Sequence, residues 1–311
     1  MLPFMKKFLL LLLVLMLAVF AFLLFFIPAQ QTISGTIAID NKPASVARVL
    51  QQPEQWHKWW PGTVRNGEYF MDEHAFVVTK ELYNNTVVHI RSANESIASL
   101  ITLMPVNKGT VVKWEYTTKE TDNIWQRFTQ WRVANAVEEK MDQILNSMQA
   151  FALSDTNIYG LDIALQTITD TAFVASRFQT GQYPTTTDIY SHVARLQQYI
   201  TQQGAAATNA PILHVSKNAN GNYESMVAVA TSRTLPAKDS IMYKAMVRGN
   251  VLVATVNGGQ ATVEEALVRL DHYAQDKDLR APAIPFSLLV TDRLQQSDTS
   301  KWVTKVYYPV Y

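Results

Sequence analysis

The sequence predicts an α+β protein in three parts: one N-terminal transmembrane helix, an antiparallel-sheet domain with one long helix, and a domain built from a duplicated strand–helix–strand–strand unit. Three observations lead to this prediction. An uninterrupted apolar run occupies residues 8–27. Short alternating segments followed by an amphipathic helix occupy 31–152, and apolar patterns recur at a fixed offset within 158–311.

The apolar run predicts a membrane anchor over residues 1–29. From Phe8 to Ile27 no side chain is polar, and a helix of that length spans about 30 Å, the thickness of the hydrocarbon core of a bilayer. Lys6 and Lys7 precede the run. The positive-inside rule therefore places the N-terminus in the cytoplasm and the rest of this single-pass protein outside it, in the periplasm if the organism is Gram-negative. A cleaved signal peptide is the alternative, but Pro28-Ala29-Gln30 makes a poor cleavage site.

The composition excludes several classes of function. The 311 residues carry a net charge of +1, and the chain after residue 29, which lacks Lys6 and Lys7, holds 25 basic and 26 acidic residues. A nucleic-acid partner is not expected, because such binders usually carry a basic excess. The chain has no cysteine, which excludes disulfides, thiolate metal ligands and a cysteine nucleophile.

Residues 31–152 have the pattern of one antiparallel sheet and one long helix. Thr32–Ile39 alternates as a strand does, Asp40 or Asn41 can cap a helix, and Pro43 suits its first turn. Alternating segments then predict strands at Glu68–Met71, Ala75–Leu82, Thr86–Arg91, Ser96–Met104 and Gly109–Thr117. One apolar helical stripe follows, made of Val137, Met141, Ile144, Leu145 and Met148. We expect the sheet to bury its apolar face against this helix.

The first soluble domain resembles a known family. Its spacing of Ile39, Val46, Leu50, Pro53, Trp56 and Trp59, and the strand from Gly109 to Trp114, are similar to START-like, polyketide-cyclase-type (SRPBCC) helix-grip domains. The resemblance implies a cavity for an apolar or amphipathic small molecule, and a minority of the family are enzymes. Candidate ligand-binding residues are Trp59, Trp60 and Trp114. The alternative for each tryptophan is packing in the core.

The second soluble domain, residues 158–311, repeats itself at an offset of 74 residues. Pro211 and Pro285 each open an apolar strand at this offset. Two helical stripes keep the same offset, one made of Ile189, Val193, Leu196 and Ile200 and the other of Val263, Leu267, Leu270 and Ala274. Each half therefore contains a strand, a helix and two further strands, and a concave groove is expected between the halves.

This second domain resembles the gyrase-inhibitor-like (GyrI-like), or bacterial effector-binding, domains. The likeness rests on Tyr159-Gly160-Leu161, on Asn257-Gly258-Gly259, and on the closing segments 285–288 and 298–310. It implies binding of hydrophobic, often cationic, small molecules, and some members are hydrolases. Where the family often has a buried glutamate, this chain has Ser287, which predicts loss of the cation-selective and hydrolytic modes. Candidate ligand-binding residues here are Tyr183, Ser287, Trp302 and Tyr307.

No motif in the chain indicates a reaction. The six histidines form no metal-ligand spacing, and no phosphate loop or Gly-x-Ser-x-Gly elbow occurs, so neither a metal nor a cofactor is expected. We therefore predict a membrane-anchored, non-catalytic protein that binds a hydrophobic or amphipathic small molecule. One alternative is a hydrolase or a cyclase-like enzyme, which needs a carboxylate such as Glu81 or Glu115 buried in a pocket. Another is a structural or stress-response protein of the cell envelope.

Overall fold

The computed structural model describes residues 2–82, 85–92 and 95–311, and it describes side chains throughout except at 2–4, 23–26, 81 and 95. It contains two compact units, Met1–Ser154 and Asp155–Tyr311. Each unit contains one antiparallel sheet together with helices. The α+β fold class predicted from the sequence is therefore confirmed.

Unit 1 begins with helix α1, Leu2–Phe26. Its described side chains between Met5 and Phe22 are exposed, and the helix is long and apolar enough to cross a bilayer. Signal sequences have the same two properties. The transmembrane role of α1 therefore stays a prediction.

The sheet of unit 1 has the strand order β1-β7-β6-β5-β4-β3-β2. The strands are β1 Thr32–Ile39, β2 Thr63–Arg65, β3 Glu68–Met71, β4 His74–Leu82, β5 Asn85–Ser92, β6 Glu95–Val106 and β7 Gly109–Thr117. All five strands predicted after residue 67 are present, and β2 is an addition whose three residues are all exposed. The first strand pairs with the last, with Ile37 opposite Val112.

A short helix, α2 at Pro43–Leu50, follows β1. Pro43 occupies its first turn as predicted, but the predicted side-chain cap is wrong, because Lys42 stands at the N-cap and no side chain caps the helix. Asn41 instead donates from Nδ2 to the carbonyl of Ala152, 2.8 Å away. The chain then forms a 3₁₀ helix at Pro53–Lys58.

The long helix α3, Ile124–Ala152, packs against β1 of the sheet. Its predicted apolar stripe from Val137 to Met148 is buried. The helix starts further upstream than that stripe, because the Asn123 side chain caps it by accepting hydrogen bonds from the backbone nitrogens of Trp125 and Gln126.

Unit 2 contains an eight-stranded sheet in the order β12-β9-β11-β10-β14-β15-β13-β8. Its strands are β8 Ile163–Thr167, β9 Ala172–Thr180, β10 Ile212–Lys217, β11 Tyr223–Ala230, β12 Ile241–Ala245, β13 Asn250–Asn257, β14 Phe286–Leu289 and β15 Val303–Val310. Its helices are α4 Asp155–Tyr159, α5 Thr186–Gln202 and α6 Gln260–Asp276, and a 3₁₀ turn covers Thr299–Lys301.

The duplication predicted from the sequence is present in this sheet. Helices α5 and α6 both have 17 residues, and α6 begins 74 residues after α5. The two halves meet at the centre, where β10 pairs antiparallel with β14 and Ile212 lies opposite Leu288. Each half also has a leading strand that the sequence did not predict. Each leading strand pairs with the other half: β8 of the first half pairs with β13, and β12 of the second half pairs with β9.

The unit 2 sheet has two different faces, because successive side chains of a strand point to opposite sides. On one side, here called the helix face, Leu213, Val227 and Leu289 pack with the stripe of α5. Val306 packs in the corresponding cluster of α6. On the other side, here called the open face, a separate cluster contains Phe173, Ala175, Ile212, Ala228, Ala230 and Leu288.

Candidate functional site

The open face of the unit 2 sheet carries a cavity of about 730 Å³, here called the sheet groove. This volume is within the usual range for small-molecule sites. The groove is lined mainly by apolar side chains, which include Ile168, Ile212, Met226, Met246, Val247, Ile284, Phe286, Pro309 and Val310. The arrangement therefore suits an apolar ligand.

A second cavity of about 390 Å³ shares His214, Met226 and Ile284 with the sheet groove. Two large apolar side chains at the groove are open to solvent, since Val247 is 85% exposed and Ile284 is 54% exposed. Apolar residues grouped around a concave site are a common property of binding surfaces.

Polar groups are few and well separated in these cavities. His214 lies where the cavities join, with Nδ1 2.8 Å from the carbonyl of Pro285. Arg248 lines the sheet groove. In the second cavity, Arg177 and an exposed Glu224 bring opposite charges. The site thus offers an apolar interior with charged groups along its rim.

Of the four candidate residues in unit 2, Tyr307 lies on the open face. Its ring stacks on that of Phe286 with centroids 4.9 Å apart and planes inclined by 6°. Both residues line a small cavity of about 100 Å³ that shares Ile212, Met246 and Phe286 with the sheet groove. Burial raises the pKa of Tyr307, and the negative charge of Asp170 raises it further. Tyr307 is therefore neutral at physiological pH.

Ser287 lies on the helix face, not in the sheet groove. It is buried and pairs with Leu213, whose side chain packs against α5. Its neighbours Phe286 and Leu288 point to the open face instead. The side chains of β14 alternate between the two faces, so Ser287, which lies between two open-face residues, must point to the helix face.

Tyr183 and Trp302 meet around a residue that sequence reasoning missed, Arg293. This arginine is only 8% exposed, and its Cζ lies 4.6 Å from the centre of the Trp302 ring. It donates from a terminal nitrogen to Thr304 Oγ1, 2.9 Å away. Burial lowers the pKa of Arg293. Burial also raises the pKa of Tyr183, and the positive charge of Arg293 only partly offsets that rise. We call this group of side chains the arginine cluster.

The guanidinium of Arg293 forms no ion pair within the part of the chain that the structure describes. Within the same ranges, the buried Arg293 Nε has no hydrogen-bond partner. The Trp302 indole is fixed by its own hydrogen bond to the carbonyl of Gln296, at 2.7 Å. In the sequence, Arg293 stands in a polar segment after β14, where nothing distinguishes it from an exposed arginine.

The three candidate tryptophans of unit 1 lie in its core. Trp59 and Trp60 are buried, with ring centroids 6.1 Å apart. Trp114 is fully buried and donates from Nε1 to Ser99 Oγ, 2.9 Å away. Trp60 donates to the carbonyl of Phe70 at 3.0 Å, whereas the buried Trp59 Nε1 has no partner among the described residues. Their surroundings match the packing alternative, and ligand contact by these side chains stays a prediction.

Of the two carboxylates named for the enzymatic alternative, the structure describes the side chain of only one, Glu115. Glu115 is half-buried and forms an ion pair with Lys113 at 2.6 Å. The side chain of Glu81 lies outside the described residues. Across the described ranges no group of three or more histidine or acidic side chains is placed to hold a metal ion.

No protein-family model matches the chain, and no curated protein matches it. Solved structures do match. The EcmrR C-terminal domain has 16% identity, a TM-score of 0.40 and covers 49% of this chain and 98% of its own. EcmrR also matches in a complex with DNA, with 15% identity, a TM-score of 0.43 and coverage of 67% and 87%.

Two further solved structures match the chain. SAV2435 bound to tetraphenylphosphonium has 15% identity and a TM-score of 0.33, covering 49% of this chain and 94% of its own. A START superfamily protein from Mycobacterium smegmatis has 8% identity and a TM-score of 0.30, covering 38% and 94%. The structures that match thus include both kinds of domain that the sequence resembles. At these identities the likeness does not extend to what this chain binds.

Proposed function

We propose that the chain is a membrane-anchored protein that binds an apolar small molecule in the sheet groove of unit 2, without catalysing a reaction. The observation that carries the proposal is the groove itself, an apolar cavity of about 730 Å³ at which Val247 and Ile284 remain exposed. A ligand that covers these side chains gains about 25 cal/mol for each Å² of apolar surface removed from water.

The anchor in this proposal is residues 1–29, followed by binding domains at 31–152 and 158–311. Helix α1 supports it by its length and exposed apolar side chains. The orientation, with the body outside the cytoplasm, follows from Lys6 and Lys7. Alkaline phosphatase fused after Tyr311 is expected to be active. An intact mass showing a chain that starts near Gln30 would contradict the anchor.

The groove favours a neutral or anionic ligand over a cationic one. Arg248 brings a positive charge to the larger cavity, whereas in the smaller cavity the positive charge of Arg177 is balanced by the negative charge of Glu224. Ser287, where the resembled family often has a glutamate, brings no negative charge, and it faces the helices. A nucleic-acid partner remains unexpected, since the chain after residue 29 is nearly neutral.

Binding can be measured by titrating the neutral fluorescent dye N-phenyl-1-naphthylamine into the full chain in phosphatidylcholine nanodiscs, with empty nanodiscs as the blank. Ala283 is exposed and lines the groove in the segment before β14, so Ala283→Trp is expected to fill it and weaken binding at least tenfold, about 1.4 kcal/mol. Ala219 is exposed in the turn between β10 and β11, and Ala219→Trp is the matched control.

The charge preference is tested by competition between two ions of similar size and shape. Tetraphenylborate is expected to displace the dye at lower concentration than tetraphenylphosphonium. If Ala283→Trp binds the dye as tightly as the original chain, the groove is not the site. If tetraphenylphosphonium competes better, the assignment of charge preference is wrong while the site stands.

A further inference from the structure

The first turns of α3 carry three aromatic side chains that are exposed or only half-buried. Trp125 is 74% exposed and Trp131 is 37% exposed, although tryptophan is among the most buried residues on average. Phe128 is half-buried and stacks on Trp131 with centroids 6.2 Å apart. We call these three residues the aromatic surface.

The aromatic surface faces away from the sheet. At 100° per residue, Trp125, Phe128 and Trp131 fall within an arc of about 120° on one side of α3. The buried stripe of the helix, which starts at Ala134, is centred about 150° from the middle of that arc. The aromatic surface is therefore centred on the side of α3 that faces away from the unit 1 core.

The start of α3 is joined to the segment that follows α1. Thr121 donates its backbone N–H to the carbonyl of Ala29 at 3.1 Å, and Thr118 donates to the carbonyl of Gln31 at 2.9 Å. Gln31 N donates to Thr118 Oγ1 at 2.9 Å, and Gln30 Nε2 donates to the Thr118 carbonyl at 3.2 Å. Helix α1 also contacts α3. These bonds fix the start of α3 beside the end of the apolar run.

We propose that the aromatic surface docks into the interface of the same bilayer that holds α1. This inference rests on the membrane anchor of the proposed function. With the apolar run in the hydrocarbon core, Ala29 lies at its boundary. Thr121 Oγ1 donates to Gln126 Oε1 at 2.7 Å, so the first turn of α3, which carries Trp125, lies next to Thr121 and therefore near that boundary. The interfacial layer is about 5–8 Å thick on each side. Tryptophan is enriched at that depth, where its ring is buried and its N–H remains hydrated.

The chemistry of the surface indicates aromatic insertion rather than attraction to anionic lipid. The segment from Lys119 to Arg132 contains three basic residues and two acidic ones, Glu120 and Asp122, so its net charge is only +1. Arg127 is already engaged, since its Nε donates to the carbonyl of Thr121 at 2.9 Å. The occupant is therefore the interface of a zwitterionic bilayer, and docking is expected to be insensitive to anionic lipid.

The absence of cysteine from the chain allows a single spin label to report depth at a chosen site. The full chain is reconstituted in phosphatidylcholine vesicles with Thr129→Cys, an exposed site one turn from Trp125. Gln143→Cys is the matched control, because it is exposed and lies five turns further along the same side of α3 as Trp125. Leu15→Cys, on the exposed surface of α1, reports the anchor.

The ratio of collisions with oxygen to collisions with a water-soluble nickel complex measures depth. We expect this ratio to be highest at position 15 and higher at 129 than at 143. Adding Trp125→Gln and Trp131→Gln together should lower the value at 129 to that at 143, while far-UV circular dichroism stays unchanged because both side chains are exposed.

Each other outcome has a distinct meaning. A high ratio at 15 with equal ratios at 129 and 143 overturns the docking and leaves the anchor in place. A low ratio at 15 overturns the anchor and the docking with it. Shielding of 129 from both reagents shows contact with a second copy of the chain and overturns the docking, as does a difference that appears only after phosphatidylglycerol is added.

Discussion

Replacing Trp114 by phenylalanine separates the contribution of its hydrogen bond from that of its packing. The ring is fully buried and in edge contact with Phe76, with centroids 5.8 Å apart. Its Nε1 donates to Ser99 Oγ at 2.9 Å, and Ser99 Oγ donates to the carbonyl of Val88 at 2.6 Å. The substitution therefore removes part of a buried ring and one end of a buried hydrogen-bond chain.

The expected cost is about 2–3 kcal/mol. Lost transfer energy and the remaining void account for about 1–2 kcal/mol, and the lost hydrogen bond adds about 1 kcal/mol. Trp59→Phe is the matched control, because Trp59 is also buried but its Nε1 has no partner among the described residues. It should cost about 1 kcal/mol less. Trp125→Phe, at an exposed site, should change the free energy of unfolding by less than about 0.5 kcal/mol.

Urea unfolding of the full chain in detergent, followed by far-UV circular dichroism, measures these differences. The dye titration described above is repeated on Trp114→Phe, and its affinity is expected to be unchanged, since the sheet groove is in unit 2. The reasoning is refuted if Trp114→Phe costs no more than Trp59→Phe. A loss of dye affinity without a loss of stability would instead identify Trp114 as a ligand contact.

Three further predictions concern buried groups and a close backbone contact. Burial lowers the pKa of His74 and His192 below the ordinary 6.5 in the folded chain. The unfolded chain therefore takes up protons first, and the free energy of unfolding should fall as the pH drops from about 6.5 to 5. His74→Gln should flatten this slope in urea unfolding. Gly109→Ala would place its Cβ 2.3 Å from the carbonyl oxygen of Ile39 and should cost about 1–3 kcal/mol by the same assay, whereas Gly181→Ala, with nothing within 4 Å, should be close to neutral. Arg293→Met keeps a long stem against Trp302 and should destabilise less than Arg293→Ala, which leaves a void; equal thermal stability of the two variants would contradict this.

The strands and helices that the sequence predicts are those with one buried face. Strands β3 and β7 have the predicted bounds because their side chains alternate between the core and the other face. Strands β2 and β8, which were not predicted, lack such a face. All three residues of β2 are exposed, and β8 has one half-buried residue followed by four exposed ones. The first ten residues of α3 include none that is buried, so no stripe marked them as helix.

The candidate site was harder to predict, because it depends on contacts between distant segments. Arg293 meets Trp302, Thr304 and Tyr183 only after β14 and β15 have paired and α5 has packed on the sheet. The sheet groove depends on the loop from Ala245 to Asn250 and on the segment around Ile284. Neither segment has an apolar periodicity that could indicate its position.

The duplication contains the information needed to place Ser287, since the offset of 74 residues pairs it with Leu213. Leu213 sits between Ile212 and His214, both of which line the sheet groove, and packs against α5. Its counterpart must point the same way, so the open-face residues of β14 are those beside Ser287, and of these Phe286 lines the groove. The same pairing sets His214, which lines the groove, against Leu288, which does not, and thus makes the two halves unequal. A ligand in this groove therefore meets the polar His214 on the β10 side and the apolar Phe286 on the β14 side.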